Sequence, residues 1–358
     1  MKKIDIYIIK KFLGTFFYAI SIIIVIVIIF DVSEKIEDFI TKHAPLKAIV
    51  FDYYFNFIPY FVNLFSPLFT FIAVIFFTSK MASNTEIVAI LSSGISFKRM
   101  LLPYFIAASI LAALSLFLNN FVIPKANMRR MVFEERYVRN PYYNQDLNIH
   151  RQIDPGTFIY IERYNNQLNT GYKFALEKFN NGNLKYKLMS ESIRWDSTNN
   201  KWEISNFFIR HIKGMEELVS TGIKFDTILN LNPKDFGRKL LNIETMNYPE
   251  LKNYIKEEKM RGSDNVQLYE IEKYKRFAIP FATFILTLIG VSLGSQKVRG
   301  GIGLHIGIGL LISFSFILFM QVSTTFAASG LVSALVAVWI PNILFGLLAL
   351  YLLKRAPK

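Results

Sequence analysis

Long apolar runs, broken by short charged segments, fill both ends of this chain, while its middle alternates apolar and polar positions. Residues 12–30 are uncharged for 19 positions, 53–79 for 27, 100–124 for 25 and 277–296 for 20. Each exceeds the ~18 residues that mark a helix able to cross a hydrocarbon core. From residue 300 to 353 only His305 can carry charge. That run is too long for one crossing, and the turn residues Ala327-Ala328-Ser329-Gly330 divide it. Six spans result, three before a central insert and three after it. Pro59 and Pro67 predict kinks in the second. The first is too long for a signal-peptide core, and Asp31-Val-Ser-Glu offers no small-x-small cleavage site, so it reads as an uncleaved anchor.

The insert, 125–276, reads differently. Period-two alternation appears in Thr157-Phe-Ile-Tyr-Ile-Glu-Arg, in Tyr172-Lys-Phe-Ala-Leu-Glu-Lys-Phe and in Leu184-Lys-Tyr-Lys-Leu-Met-Ser. Turn clusters separate these runs at Asn165-Asn166, Asn180-Asn-Gly-Asn and Ser197-Thr-Asn-Asn. Ile193-Arg-Trp and Trp202-Glu-Ile flank the last cluster as a hairpin. Strands at this spacing suggest a sandwich, a jelly roll or a barrel, and spacing does not choose among them. An amphipathic helix follows, with Pro249 near its first turn, Leu251, Tyr254 and Ile255 on one face, and Gly262 past its end.

Composition agrees with the spans: 52% of residues are hydrophobic and 19% charged, which excludes a purely soluble protein. The net charge of +14 taken alone would point to nucleic acid. Its distribution points elsewhere. The two termini and the second and fourth connections hold 12 basic and 2 acidic residues, the first connection 3 and 5, and the insert 26 and 20. Positive charge collects on the cytoplasmic side of membrane proteins, which predicts both termini cytoplasmic and the insert across the membrane. With no cysteine, there is no disulfide frame or thiolate chemistry.

Soluble catalytic motifs are missing. No Gly-Lys dipeptide occurs, so a phosphate-binding loop of that type is absent, and His43, His150, His211 and His305 are scattered. Gly290-Val-Ser-Leu-Gly294 matches a nucleophile elbow in sequence, but it falls inside a span, where small residues serve close helix packing. The connection 80–99 is more informative. Ser83-Asn-Thr-Glu86 reads as a capping box, and Ile87, Ile90, Leu91 and Ile95 follow at helical spacing, with Gly94 as a stop. This predicts a short cytoplasmic helix with an apolar face, lying either on its own bundle or against a motor subunit.

The stretch Asn84-Thr-Glu-Ile-Val-Ala-Ile-Leu-Ser-Ser-Gly-Ile-Ser-Phe-Lys-Arg-Met-Leu-Leu-Pro103 resembles the loop of the lipopolysaccharide-export permease family, the paired LptF and LptG subunits (YjgP/YjgQ). Ile193-Arg-Trp with Trp202-Glu-Ile-Ser-Asn resembles that family's periplasmic hairpin. Arg276-Phe-Ala-Ile-Pro-Phe281, Leu288-Ile-Gly-Val-Ser-Leu-Gly294 and Arg299-Gly-Gly301 resemble its fourth span and the turn behind it. The resemblance implies an α-helical polytopic membrane protein, six transmembrane helices arranged 3+3, with an inserted periplasmic β-jelly-roll-like domain. The expected domains are 1–124 (three spans with a coupling helix near 83–95), 125–247 (β domain), 248–276 (connecting helix) and 277–358 (three spans).

The family's activity implies further expectations. The chain would be a permease subunit of an ATP-driven exporter in the bacterial inner membrane, taking lipopolysaccharide from that membrane to a periplasmic bridge. Its partners would be a paralogous permease subunit, a cytoplasmic ABC ATPase dimer, a periplasmic jelly-roll bridge protein and lipopolysaccharide, with no nucleic acid. It would bind no cofactor itself; ATP and Mg would be held by the ATPase. The family's coupling glutamate falls on Glu86, with Ile87, Ile90 and Leu91 beside it. Lys35, Lys42, Lys47, Arg129, Arg130 and Arg136 are candidates for lipid phosphates, because basic groups on that side oppose the charge trend. Phe158, Tyr160, Tyr172 and Phe174 are candidates for an apolar lipid groove, or else for the core of the β domain. The alternatives are a non-transporting scaffold whose β domain binds a periplasmic protein, and an intramembrane hydrolase built on Ser292.

Overall fold

The computed structural model describes residues 2–140, 144–214, 216–236, 243–263, 265–296 and 301–356. Lys297, Arg299 and Lys358, three of the residues used for orientation, lie outside the described residues, as does Gly300 in the turn behind the fourth span. The chain divides into a helical unit (2–139, 244–248 and 267–356 of the described residues) and a β unit drawn from 140–243 and 249–266.

The helical unit contains six helices long and apolar enough to cross a membrane: α1 Lys3–Thr41, α2 Leu46–Ser83, α4 Phe97–Tyr137, α6 Val266–Gly294, α7 Gly301–Ala328 and α8 Ala334–Arg355. The short α3, Glu86–Ser92, lies between α2 and α4, and α5, Tyr248–Met260, precedes α6. The helices outrun the uncharged stretches because charged residues at their ends stay solvated without breaking the backbone ladder. The third therefore passes Pro124 and reaches Tyr137 through a π-helical turn at Leu118–Val122, so the β unit begins later than residue 125. The connecting helix expected over 248–276 is two helices, divided near Gly262 (φ +67), and α6 starts ahead of residue 277. α2 stays helical through Pro59 and Pro67. The turn at 327–330 occurs as expected, with Gly330 at φ +80.

α1 buries one stripe, Ile8, Phe12, Phe16, Ile20 and Ile24, at a strict spacing of four. Residues four apart form the ridge that packs into a neighbour's groove. Here the stripe joins Val74, Phe77 and Met81 of α2 and Met100, Tyr104, Ala107 and Leu111 of α4 in one core. α6 is the most enclosed span. A Cβ on Gly290 would stand 2.9 Å from the Val74 side chain, and one on Gly294 3.2 Å from the Ile75 carbonyl oxygen, so α6 and α2 approach where a larger residue would force neighbours to shift.

The β unit is a six-stranded antiparallel sheet in the order β1-β2-β3-β4-β5-β6: Leu147–Asp154, Thr157–Asn165, Thr170–Asn180, Asn183–Asp196, Lys201–Lys213 and Glu216–Thr227. An inserted β domain between two sets of three spans was the architecture expected; within it each strand pairs antiparallel with the next. Asn181-Gly182 makes the β3–β4 turn with both φ positive (49° and 78°), the conformation that Asn-Gly favours in two-residue hairpins. The expected β4–β5 hairpin pairs Ile193 with Ile204 and Trp195 with Trp202. One face carries the rows Ile159–Leu176–Leu188–Ile209 and Ile161–Phe174–Ser190–Phe207. Leu231 and Phe236, from the chain after β6, belong to the same core, and Trp202 Nε1 donates to the Leu231 carbonyl at 2.8 Å.

Candidate functional site

The coupling loop is built differently from its sequence pattern. Ser83 ends α2, so the Ser83–Glu86 capping box does not form; Thr85 precedes α3 at φ +61 and supplies no side-chain cap. Gly94 (φ +85) stops the chain after α3 as expected. Ile87 and Ile90 are buried in the core shared by α1, α2 and α4, and Leu91 packs against it. Ile87 and Ile90 therefore anchor α3 to its own bundle, because an apolar face next to an apolar core leaves water first. The outward surface is formed by Val88, Ala89 and Ser92, with Glu86 half-buried at its start. The Glu86 carboxylate accepts from Tyr7 Oη at 2.8 Å. Sequence periodicity identified the buried stripe and so missed Val88, the large exposed apolar residue of α3.

The six basic candidates divide into two groups. Lys35 pairs with Asp31 at 2.5 Å and also donates to Tyr53, while Tyr54 donates to the other Asp31 oxygen. Lys42 donates to the carbonyls of Val138 and Arg139 at 3.0 and 3.2 Å, closing the end of α4. Arg130 lies 3.4 Å from Glu134 and 3.6 Å from Glu244, over the Tyr60 ring. These three are committed inside the helical unit. Lys47, Arg129 and Arg136 are exposed.

The groove candidates also separate. Phe174 is 1% exposed and is a core residue, paired with Ile161. Phe158 is 41% exposed, on the opposite face, edge-on to Phe179. Tyr160 shares that outer face, next to His150, and donates to Asn148. Tyr172 is half-buried under Arg163. The four do not line one surface, because a strand turns successive side chains to opposite faces. Ser292 sits near the end of α6, in a helix rather than at a strand–helix turn, and His305 bonds instead to Ser79 at 2.8 Å. The context a nucleophile elbow requires is absent around Ser292.

A feature not legible in the sequence is a cavity of about 380 Å³ among α2, α4, α6 and α7. Leu64, Pro67, Leu68, Ile279, Phe316 and Ile317 make its apolar part. Asn127, Glu244, Glu272, Lys275 and Arg276 line it toward the helix ends that join the β unit. A polar chain reaches the cavity wall: Ser115 donates to Asn63, and Asn63 to Asn119. Asn119 Nδ2, at the end of that chain, has no partner among the described residues. Burial holds the Glu244 carboxyl above the ordinary range, repulsion from Glu272 adds to this, and Arg130 opposes it. An apolar pocket with a charged rim and an unfilled amide donor suits an amphiphile with an acyl chain and a polar head.

The family model described as lipopolysaccharide export system permease LptF/LptG matches residues 6–355. The chain belongs to that family. It is a multi-pass permease component of lipopolysaccharide export and not itself an enzyme. A comparison with curated proteins returned no match. In this LptF/LptG chain α3 presents Val88 and Ala89 outward, and the cavity lies among α2, α4, α6 and α7.

Proposed function

We propose that this LptF/LptG chain is one permease half of an ATP-driven exporter in the inner membrane. Both termini face the cytoplasm, and the β unit lies in the periplasm. The observation that carries the reading is the cavity with its acyl-sized apolar part and charged rim. Each acyl CH₂ exposed to water costs about 0.8 kcal/mol, so a lipid with several chains needs an apolar route throughout. A volume of about 380 Å³ holds only part of such a lipid, which supports a paralogous permease subunit completing the chamber. Of the six basic candidates, exposed Lys47, Arg129 and Arg136, the last with its guanidinium over the Tyr137 ring, are those left for lipid phosphates. A cytoplasmic ABC ATPase dimer, holding ATP and Mg, docks on Glu86, Val88 and Ala89. The β unit passes the lipid to a periplasmic bridge protein of similar fold.

A photo-crosslinker at Ile317, in cells, tests this reading. Capture of lipopolysaccharide, abolished by Leu64→Trp, is expected. If Ile317 captures none while the protein is folded and in the membrane, the exporter reading fails in favour of a scaffold, which needs no lipid chamber.

A further inference from the structure

The loop that carries α3 is tied at both flanks to the first two turns of α1. On one flank Tyr7 Oη donates to Glu86 Oε2 at 2.8 Å. On the other, the Arg99 guanidinium makes a bidentate pair with Asp5 at 2.9 and 2.8 Å. Asp5 is held in turn by the backbone N–H of Lys2 at 2.8 Å. Beneath these polar ties, Ile87 and Ile90 share a core with Ile8 and Phe12. α3 is therefore fastened to α1 as well as to α2 and α4, its neighbours in sequence.

We propose that Tyr7 is a positioning residue that passes movement of the docked coupling helix into α1, a role that rests on the docking of Glu86 proposed above. The Tyr7–Glu86 pair is solvent-exposed and uses one carboxylate oxygen. The second, Oε1, has only Asn84, at 3.5 Å, among the described residues, and is open to a basic side chain of the cytoplasmic partner. A carboxylate has about four lone-pair positions, so it can accept from Tyr7 and from a partner cation together. α1 then acts as the lever. Its 39 residues form one helix about 58 Å long. Lys35, fixed by Asp31 and Tyr53, lies on the same helix about 42 Å from Tyr7.

The test uses the assembled complex in lipid vesicles, comparing wild type, Tyr7→Phe, Glu86→Ala and the double variant. Three quantities are read: ATPase retained on co-purification, ATP hydrolysed, and lipopolysaccharide moved per ATP. Tyr7→Phe removes only the hydroxyl of a surface side chain, and its melting curve should match wild type. The expected result is retained ATPase with lipid moved per ATP down about threefold to tenfold, the range of one ordinary net hydrogen bond, because this one is solvent-exposed. The double variant should be no worse than Glu86→Ala. An unchanged ratio in Tyr7→Phe, or loss of ATPase from that variant, overturns the lever. If Glu86→Ala itself keeps both ATPase and transport, the docking reading fails instead.

Discussion

Replacing Phe174 and Phe158 by alanine, one at a time, separates the core of the β unit from its outer face. Phe174 is 1% exposed and lies in the row Ile161–Phe174–Ser190–Phe207. Truncating such a ring costs about 3–5 kcal/mol through lost burial and the cavity left behind. That is a large part of the roughly 5–15 kcal/mol that stabilises a domain. Phe158 is 41% exposed, and its ring contact is edge-on with Phe179 at 5.7 Å. An aromatic pair of that kind contributes about 0.5–1.5 kcal/mol, and partial exposure keeps Phe158→Ala toward the lower end. The melting temperature of the β unit should fall on the order of 10–20 °C for Phe174→Ala and by a few degrees for Phe158→Ala.

Tryptophan fluorescence of the full chain reads this out. Trp195 and Trp202 stand 5.1 Å apart in the β4–β5 hairpin, and a Trp339→Phe background removes the signal from α8. Equal losses, or a larger one for Phe158→Ala, would refute the assignment of the two faces. Photo-crosslinkers supply the functional counterpart: residue 158 stands where a lipid can reach it, whereas residue 174 does not. Lipid captured at 174 in a protein of unchanged stability would show that the packed face opens.

Trp202→Phe keeps an aromatic ring but leaves the buried Leu231 carbonyl without its donor; denaturant titration should show a loss of about 1–3 kcal/mol. Gly294→Val pushes a branched side chain against Thr78 and the Ile75 carbonyl, and should destabilise the helical unit by about 1–3 kcal/mol in a detergent melt. Glu244 has its folded pKa raised, so the native state holds its proton more tightly. Its contribution to stability is present below the ordinary value of 4.5 and is lost as pH rises toward the folded value. Glu244→Gln should therefore flatten the decline of melting temperature above that pH, and an unchanged profile would count against the raised pKa of this half-buried carboxyl.

The spans and the β insert were legible because a single physical effect decides each. Twenty apolar residues in succession have one favourable surrounding, and alternation such as Leu184-Lys185-Tyr186-Lys187-Leu188 fits a sheet with one buried face. Turn chemistry was equally local, as Asn181-Gly182 and Gly330 illustrate. Which face is buried is a different matter: Phe158 and Ile159 are both apolar, and only the return of Leu231 and Phe236 makes the Ile159 side the interior. The pairing of Ser83 with Glu86 failed for a similar reason. α2 extends far enough to use the Ser83 backbone, and Glu86 finds Tyr7, 79 residues away. The cavity left no trace in the sequence because its walls come from four separate helices.

The same physics explains why the cavity lies where it does. A chain that must move a lipid cannot fill all its helix contacts with large side chains, since a close-packed core has no room to admit an acyl chain. This permease separates the two requirements. Gly290 and Gly294 bring α6 against α2 with no gap between them, and Ser79 binds His305 to hold α7 at the same level. A few turns further along, the helices contribute Pro67, Asn63, Asn119 and Arg276, and the cavity opens. The tight seam and the cavity thus occupy successive levels of the same helices. An intervention at the seam, such as Gly294→Val, should therefore change the shape of the cavity without touching any residue that lines it.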